Sequence, residues 1–199
     1  MTVDAAVSMS RGTFVLNAAL TDSGIIFIFG ENGSGKTTFL RALAGHFSQF
    51  SGRVLVNGRD VTHADLQQRG IIYLNSDTVL MNLDVDSHIA WPRNPDRYRD
   101  EIKSLKESLG IDFSGKVSEL SLGQRMRVAA ASAIFHSPDL VIMDEVTSGI
   151  SDSSVFIKSI SAAAREKSID IIFVSHNSGD ADLAEHVYRM ENGSLSKIS

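Results

Sequence analysis

Residues 30–38 read GENGSGKTT, and this stretch decides how the rest of the chain is interpreted. The fixed positions of the pattern G-x-x-x-x-G-K-S/T are filled by Gly30, Gly35, Lys36 and Thr37. Glycines allow successive backbone N–H groups to turn inward as a nest for an anion, and the lysine supplies a charge for terminal phosphates. The stretch therefore predicts a phosphate-binding P-loop. We expect the whole run to contribute to binding: Gly30, Glu31, Asn32, Gly33, Ser34, Gly35, Lys36, Thr37 and Thr38.

The residues on either side of the loop support this interpretation. Ile25–Phe29 is an uninterrupted apolar run, which is typical of a parallel strand buried on both faces. Residues 38–44 have a helical pattern that Gly45 ends. A loop between the carboxyl end of a strand and the amino end of a helix favours phosphate, because unpaired N–H groups and the helix dipole meet there. A glycine-rich turn matching by chance would lack both flanking elements.

Apolar runs alternate with helical patterns along the rest of the chain. Buried strands are predicted at 70–74, 140–143 and 171–174, and helices at 121–135, 152–167 and 180–187, with Asp152 as the cap of the second helix. This alternation indicates an α/β fold with a mainly parallel sheet. Residues 13–20 and 53–56 indicate a small antiparallel layer, and residues 187–198 indicate a terminal hairpin.

Residues 76–136 differ from the rest, with the single Trp, two of the three Pro and many charges. Within them, 99–109 has helical spacing, with apolar residues on one face at Ile102, Leu105 and Leu109. We read the segment as a helical insert, because periodic apolar positions are too frequent for disorder. The expected organisation is one domain over 1–199, with a RecA-like core and antiparallel layer from 1–75 and 137–199 and a helical subdomain at 76–136.

Composition excludes several classes of protein. The 199 residues carry a formal net charge of −5, which disfavours nucleic acid as an electrostatically held partner. There is no cysteine, so disulfides and thiolate metal sites are impossible. The sequence shows neither an apolar run near the ~18 residues of a transmembrane helix nor a signal-peptide pattern at its amino terminus. We therefore expect a cytoplasmic protein that needs a partner for any work at a membrane.

A pair of acidic residues follows the strand predicted at 140–143. Asp144 closes the run LVIMD, where a P-loop site needs an acid to hold Mg²⁺ opposite Thr37. Glu145 comes next and can orient and polarise an attacking water. The alternative is a strand that ends in a solvated Asp-Glu pair, and the P-loop upstream argues against it.

Two further positions suit a phosphate. His176 ends the apolar run IIFVSH, at the strand end where ligands bind in parallel sheets, although a surface or capping histidine would look the same. Residues 120–124 read LSLGQ at the start of a helix. Ser121, Gly123 and Gln124 could form a second anion site at the positive helix end, or an ordinary capping box.

Together these motifs resemble the nucleotide-binding domain of ABC (ATP-binding cassette) ATPases over nearly the whole chain. GENGSGKT resembles Walker A, LSLGQ resembles the LSGGQ signature, and LVIMDE resembles Walker B with its catalytic glutamate. FVSH is similar to the switch-histidine segment, and VYRMENGSL is similar to the closing stretch of the family. A P-loop alone leaves many families open, whereas these motifs in this order and spacing are specific.

The resemblance implies a mechanism. Two cassettes would dock head to tail, a homodimer being favoured, with each ATP between Lys36 of one copy and Ser121 of the other. ATP and Mg²⁺ are the implied ligands, with Lys36, Glu145 and His176 in catalysis. The γ-phosphate would complete the interface, so that hydrolysis reopens it. Separate integral membrane permease subunits would hold the protein at the inner face of the cell membrane.

The chain departs from the family pattern at the Q-loop. Counting back from residues 83–85 places the usual glutamine at Asn75, and counting on from Tyr73 places it at Ser76. Asn75 offers a carbonyl oxygen for the metal ion with a shorter reach. Metal contact and coupling to a membrane partner would change accordingly.

Three other positions also depart from the pattern. The D-loop aspartate is replaced within residues 148–151, with Asp152 one place late, and Val146 stands where proline is usual. No aromatic residue lies at the usual distance upstream of Walker A to stack on adenine. Phe14 is the nearest candidate, and a core role suits it as well.

The leading hypothesis is the ATPase subunit of an ABC transporter whose membrane subunits are separate chains. The first alternative is a soluble ABC ATPase that acts outside transport as an assembly or regulatory factor, which the altered Q-loop keeps open. The second is a nucleotide-gated binding module with little hydrolysis, which the presence of Glu145 and His176 argues against.

Overall fold

The computed structural model of the protein describes residues 2–47, 49–147, 150–175 and 178–199. The strands in these ranges are β1 (Val3–Arg11), β2 (Phe14–Asp22), β3 (Ile25–Phe29), β4 (Ser51–Val56), β5 (Arg59–Asp60), β6 (Ile71–Leu74), β7 (Leu140–Asp144), β8 (Asp170–Val174), β9 (His186–Glu191) and β10 (Ser194–Lys197). The α-helices are α1 (Lys36–Ala44), α2 (Val85–Ala90), α3 (Arg99–Ser108), α4 (Leu122–Phe135) and α5 (Ser153–Glu166). Short 3₁₀ turns lie at Leu66–Gln68, Pro95–Tyr98, Val117–Glu119 and Ser178–Leu183.

The centre of the molecule is a parallel sheet with the strand order β9-β3-β8-β7-β6. Every residue of β7 and β8 is buried, and four of the five residues of β3 are buried. The apolar runs therefore form strands that are covered on both faces, as parallel strands are. This confirms the predicted α/β fold with a parallel core.

The two faces of the sheet carry separate apolar cores. Ile25 and Phe27 of β3 belong to the cluster that includes α4 and α5, whereas Ile26 and Ile28 belong to the cluster that includes α1. The alternation follows from the two-residue period of a strand. Because α1 begins directly after the P-loop, this packing fixes the loop at the carboxyl end of β3.

The predicted antiparallel layer is present as an extension of the same sheet, which has ten strands in the described ranges. Strands β1, β2, β4 and β5 pair antiparallel with one another, and β2 joins the core through β10 at Asn17 and Ser194. The sequence indicates β1 only weakly, because its inward residues Val3, Ala5 and Val7 are small and alternate with equally short side chains. The layer is therefore larger than predicted.

Helices α2, α3 and α4 all lie within residues 76–136. The predicted apolar face of α3 is confirmed, because Ile102, Leu105 and the adjacent Leu109 are buried. Helix α4 begins after Ser121 and ends before His136, as predicted. None of the helices in the described ranges combines the length and apolar character needed to cross a membrane.

Two local predictions were wrong. Residues 180–187 were expected to be helical, but the 3₁₀ turn ends at Leu183 and strand β9 starts at His186. Parallel pairing of β9 with β3, beginning at His186 and Ile26, competes successfully for these residues. Asp152 occupies the capping position of α5 without a capping hydrogen bond, because its carboxylate pairs with Arg127 at 2.5 Å instead.

Candidate nucleotide-binding site

The P-loop connects the end of β3 to the start of α1. Gly30 and Gly35 have φ angles of 153° and 112°. A Cβ on Gly30 would lie 2.1 Å from the carbonyl oxygen of Met190, and one on Gly35 would lie 2.8 Å from Cζ of Phe14. A side chain at either position would displace its neighbours, so these two glycines fix the path of the loop.

The ammonium group of Lys36 lies inside the loop that precedes it. Its Nζ donates hydrogen bonds to the carbonyl oxygens of Gly30 at 2.8 Å and Glu31 at 2.9 Å, and the residue is 5% exposed. Burial lowers the pKa of Lys36, while the negative charges of Glu145 and Asp144 oppose that shift. These bonds use two of the three N–H donors of an ammonium group, which leaves a third for a phosphate oxygen.

A cavity of about 220 Å³ opens at the amino end of α1. The backbone N–H groups of the first helical turn have no partner within the helix and can meet an anion there. The cavity is lined by Phe14, Asn32, Gly33, Gly35, Lys36, Thr37, Thr38 and Glu145. Glu31 and Ser34 line a second cavity of about 380 Å³, together with Gly30, Asn32 and Gly33. The Ser34 hydroxyl there is buried and has no hydrogen-bond partner among the described residues.

Asp144 and Thr37 come together as a candidate metal site. Thr37 Oγ1 donates to Asp144 Oδ1 at 3.3 Å, although 107 positions separate the two residues. Asp144 is 7% exposed at the end of β7. A hydroxyl and one carboxylate are hard oxygen ligands of the kind that Mg²⁺ uses when phosphates and waters supply the rest. The residues present therefore fit Mg²⁺.

Tyr73 also belongs to this site, and the sequence analysis did not single it out. Its hydroxyl donates to Asp144 Oδ2 at 2.5 Å. Burial, more than the bond to Asp144, raises the pKa of Tyr73 to about 12, so the hydroxyl stays protonated as a donor. The sequence offers one signal for this role, a tyrosine with a polar hydroxyl group inside an apolar strand. The structure shows that this strand pairs with the strand that ends in Asp144.

Glu145 takes an unusual backbone conformation, with a φ of 59°. Strand geometry alone would send the side chains of residues 144 and 145 to opposite faces of the sheet. The left-handed turn places Glu145 on the wall of the phosphate cavity while Asp144 contacts Thr37. Such a conformation costs a non-glycine residue about 1–2 kcal/mol, and strain of this kind concentrates at functional sites.

The Asn75 side chain is engaged within its own loop. Its Oδ1 accepts hydrogen bonds from Thr78 Oγ1 at 2.6 Å and from the backbone N–H of Asp77 at 3.0 Å. Asn75 would have to give up these bonds to contact a metal ion. His176 and the D-loop positions 148 and 149 lie outside the described residues.

The start of α4 forms the capping box that the sequence left open as an alternative. Ser121 Oγ accepts from the Gln124 backbone N–H at 3.3 Å, and Gln124 Oε1 accepts from the Ser121 backbone N–H at 2.9 Å. Ser121 is exposed, Gly123 is buried, and Leu122 is 42% exposed. Among the described residues, neither of the two P-loop cavities is lined by any of these.

The loop after β3 holds a buried lysine at the amino end of α1, and the Asp-Glu pair reaches it from the end of β7, one strand beyond the neighbouring β8. This arrangement is that of a P-loop nucleotide-binding protein. The family model of ABC transporters matches residues 15–148. The chain belongs to this family.

Curated relatives match at about the same level. The sulfate/thiosulfate import ATP-binding protein CysA of Synechocystis sp. is 30% identical over 96% of this chain, and the molybdenum import ATP-binding protein ModC of Rhizobium meliloti is 30% identical over 97%. The chain spans 58% of the length of each of these two relatives.

Solved structures confirm the fold. A nucleotide-free ATP-binding cassette from an ABC transporter gives a TM-score of 0.81, with 21% identity over 99% of this chain and 91% of that one. A dimeric ATP-binding cassette bound to ADP and phosphate gives a TM-score of 0.82, with 17% identity over 99% of this chain and 99% of that one.

Proposed function

We propose that this chain is the ATP-binding and ATP-hydrolysing subunit of an ABC transporter with separate membrane subunits. The observation that carries the proposal is the convergence of Lys36, Thr37, Asp144 and Glu145 at one strand-end site. The relatives named above are import ATP-binding proteins, which favours transport over a soluble regulatory role.

Each side chain has a distinct task in the proposed reaction. Lys36 binds the terminal phosphates, and the N–H groups at the start of α1 bind the other phosphate oxygens of the nucleotide. Thr37 and Asp144 would hold Mg²⁺, which neutralises phosphate charge when bound. Glu145 orients the attacking water and accepts its proton. We assign His176 to the γ-phosphate on the family pattern alone.

The proposed partner that completes the ATP site is a second copy of this chain. The amino end of α4 is exposed at Ser121 and has the positive end of a helix dipole. In a head-to-tail pair, ATP held by Lys36 of one copy would meet Ser121 of the other. Gly123 and Gln124 would support this contact by shaping the helix end.

A membrane permease is the proposed second partner, which would place the protein at the cytoplasmic face of the membrane. A groove of about 370 Å³ lies beside the Asn75 loop, between β6 and helices α2 and α4. Leu80 and Trp91 on its wall are 45% and 54% exposed, and the adjacent Met81 is 36% exposed. An apolar cleft of this kind fits an amphipathic helix of a permease. The acidic net charge gives no support for nucleic acid as a partner.

Steady-state ATP hydrolysis by Glu145→Gln tests the proposed chemistry. We expect turnover to fall at least about 100-fold, because the general base is lost, while ATP binding persists. Glu166→Gln, an exposed change on α5, is the matched control and should hydrolyse ATP normally. Undiminished turnover in the Glu145 variant would remove this residue from the mechanism.

Copurification from gently solubilised membranes tests the partner. A stoichiometric polytopic membrane protein is the expected result. Recovery with soluble partners alone would contradict the transport role and favour a regulatory one.

A further inference from the structure

The hydroxyl group of Tyr73 bridges strand β6 and the carboxylate that ends β7. The parallel register pairs Tyr73 with Ile142, and Asp144 lies two residues further along the same face. The two side chains therefore meet over the sheet at 2.5 Å between Oη and Oδ2. The neighbouring side chains of β6, Ile72 and Leu74, line the groove beside the Asn75 loop instead.

The carboxylate of Asp144 determines where the phenolic proton goes. An ionised carboxylate can only accept, so the single proton of the Tyr73 hydroxyl is donated to Asp144. Burial raises the pKa of Tyr73, and the positive charge of Arg41 opposes that rise. Arg41 follows Thr37 by four residues on α1, so both project from the same side of that helix.

The two carboxylate oxygens of Asp144 therefore have different contacts. Oδ2 is held by Tyr73, and Oδ1 faces Thr37. A carboxylate with one oxygen fixed cannot rotate freely, so the other oxygen stays directed at the metal position. Side chains that hydrogen-bond to metal ligands orient them in this way and affect metal affinity substantially.

We propose that Tyr73 is a positioning residue that orients Asp144 for Mg²⁺. The inference rests on the proposed Mg²⁺-dependent ATP binding. It also gives β6 a contact with the metal site while the Asn75 side chain is bonded within its own loop.

The test compares ATP affinity with excess Mg²⁺ and with EDTA by calorimetry, in the full chain and in Tyr73→Phe. Phenylalanine retains the ring and removes only the hydroxyl group. We expect the Mg²⁺-dependent gain in ATP affinity to fall about tenfold, the lower end for partners of metal ligands, with affinity in EDTA unchanged. Mn²⁺ binding in the presence of ATP, followed by electron paramagnetic resonance, should weaken by a similar factor.

Tyr188→Phe is the matched control. Tyr188 also donates a hydrogen bond to a carboxylate, that of Asp22, outside the lining of the phosphate cavity. Its loss should leave the Mg²⁺-dependent gain unchanged. An unchanged gain in Tyr73→Phe would overturn the proposal, as would an equal loss of affinity with Mg²⁺ and with EDTA. If the unmodified chain binds no ATP in either condition, the proposed function itself fails, and the two failures are thus distinguishable.

Discussion

The amino ends of α1 and α4 both suit an anion, but they are built differently. At α1, Gly35 makes no side-chain cap, so the first N–H groups stay available beside the buried Lys36. At α4, the side chains of Ser121 and Gln124 form a reciprocal capping box on an exposed surface. The first helix end is ready to bind phosphate, whereas the second is stable without one. We therefore expect nucleotide to bind first to the P-loop and to meet Ser121 only when another copy presents it.

The largest effect of a substitution at either helix end is expected at the P-loop. Lys36→Met should weaken ATP binding roughly 100-fold, because it removes a charged hydrogen-bond donor worth up to about 3 kcal/mol. Titration with a fluorescent ATP analogue measures this loss. Lys158→Met, an exposed change on α5, should bind like the unmodified chain. If Lys36→Met bound ATP as tightly as the unmodified chain, Lys36 would have no part in a preformed phosphate site.

A smaller effect is expected at the other helix end. Ser121→Ala should leave ATP affinity of the isolated subunit unchanged, while lowering turnover about tenfold through loss of one transition-state contact. Melting temperature should be followed as well, because losing a capping serine destabilises a helix by about 1 kcal/mol. Weaker ATP binding in this variant would place Ser121 in the site of its own subunit, and the two helix ends would then no longer differ in when they meet nucleotide.

The smallest predicted effect concerns Phe14, whose ring lies against Gly35 on the cavity wall. Phe14→Leu should weaken ATP and GTP binding equally, by a few-fold, if the ring shapes the phosphate cavity through packing. Competition titrations with the two nucleotides check this. A selective loss of ATP would instead indicate stacking on adenine.

The parts of the site that sequence could predict are those with local signals. The P-loop is a short pattern between two recognisable elements, and Asp144 and Glu145 follow an apolar run directly. Tyr73 could not be assigned in this way, because its role depends on β6 and β7 pairing in space. The prediction that Asp152 caps α5 was wrong for the same reason, because its partner Arg127 lies 25 positions away in the sequence.

The fold shows the same division. Strands buried on both faces were predictable from apolar runs, whereas β1 has few large side chains and gave little signal. The start of β9 was misread because pairing with β3, a long-range interaction, outweighs the local helical pattern. Ser121 fits a capping box and an anion site equally in sequence, since both use the same hydroxyl group.

Mixing two defective variants tests whether each ATP site is shared between two copies of the chain. In a head-to-tail pair, one Lys36→Met subunit and one Ser121→Ala subunit leave one of the two shared sites intact. Random pairing should therefore restore roughly a quarter of the ATP hydrolysis of the unmodified chain, well above either variant alone. A mixture no more active than the mean of its components would contradict the shared site.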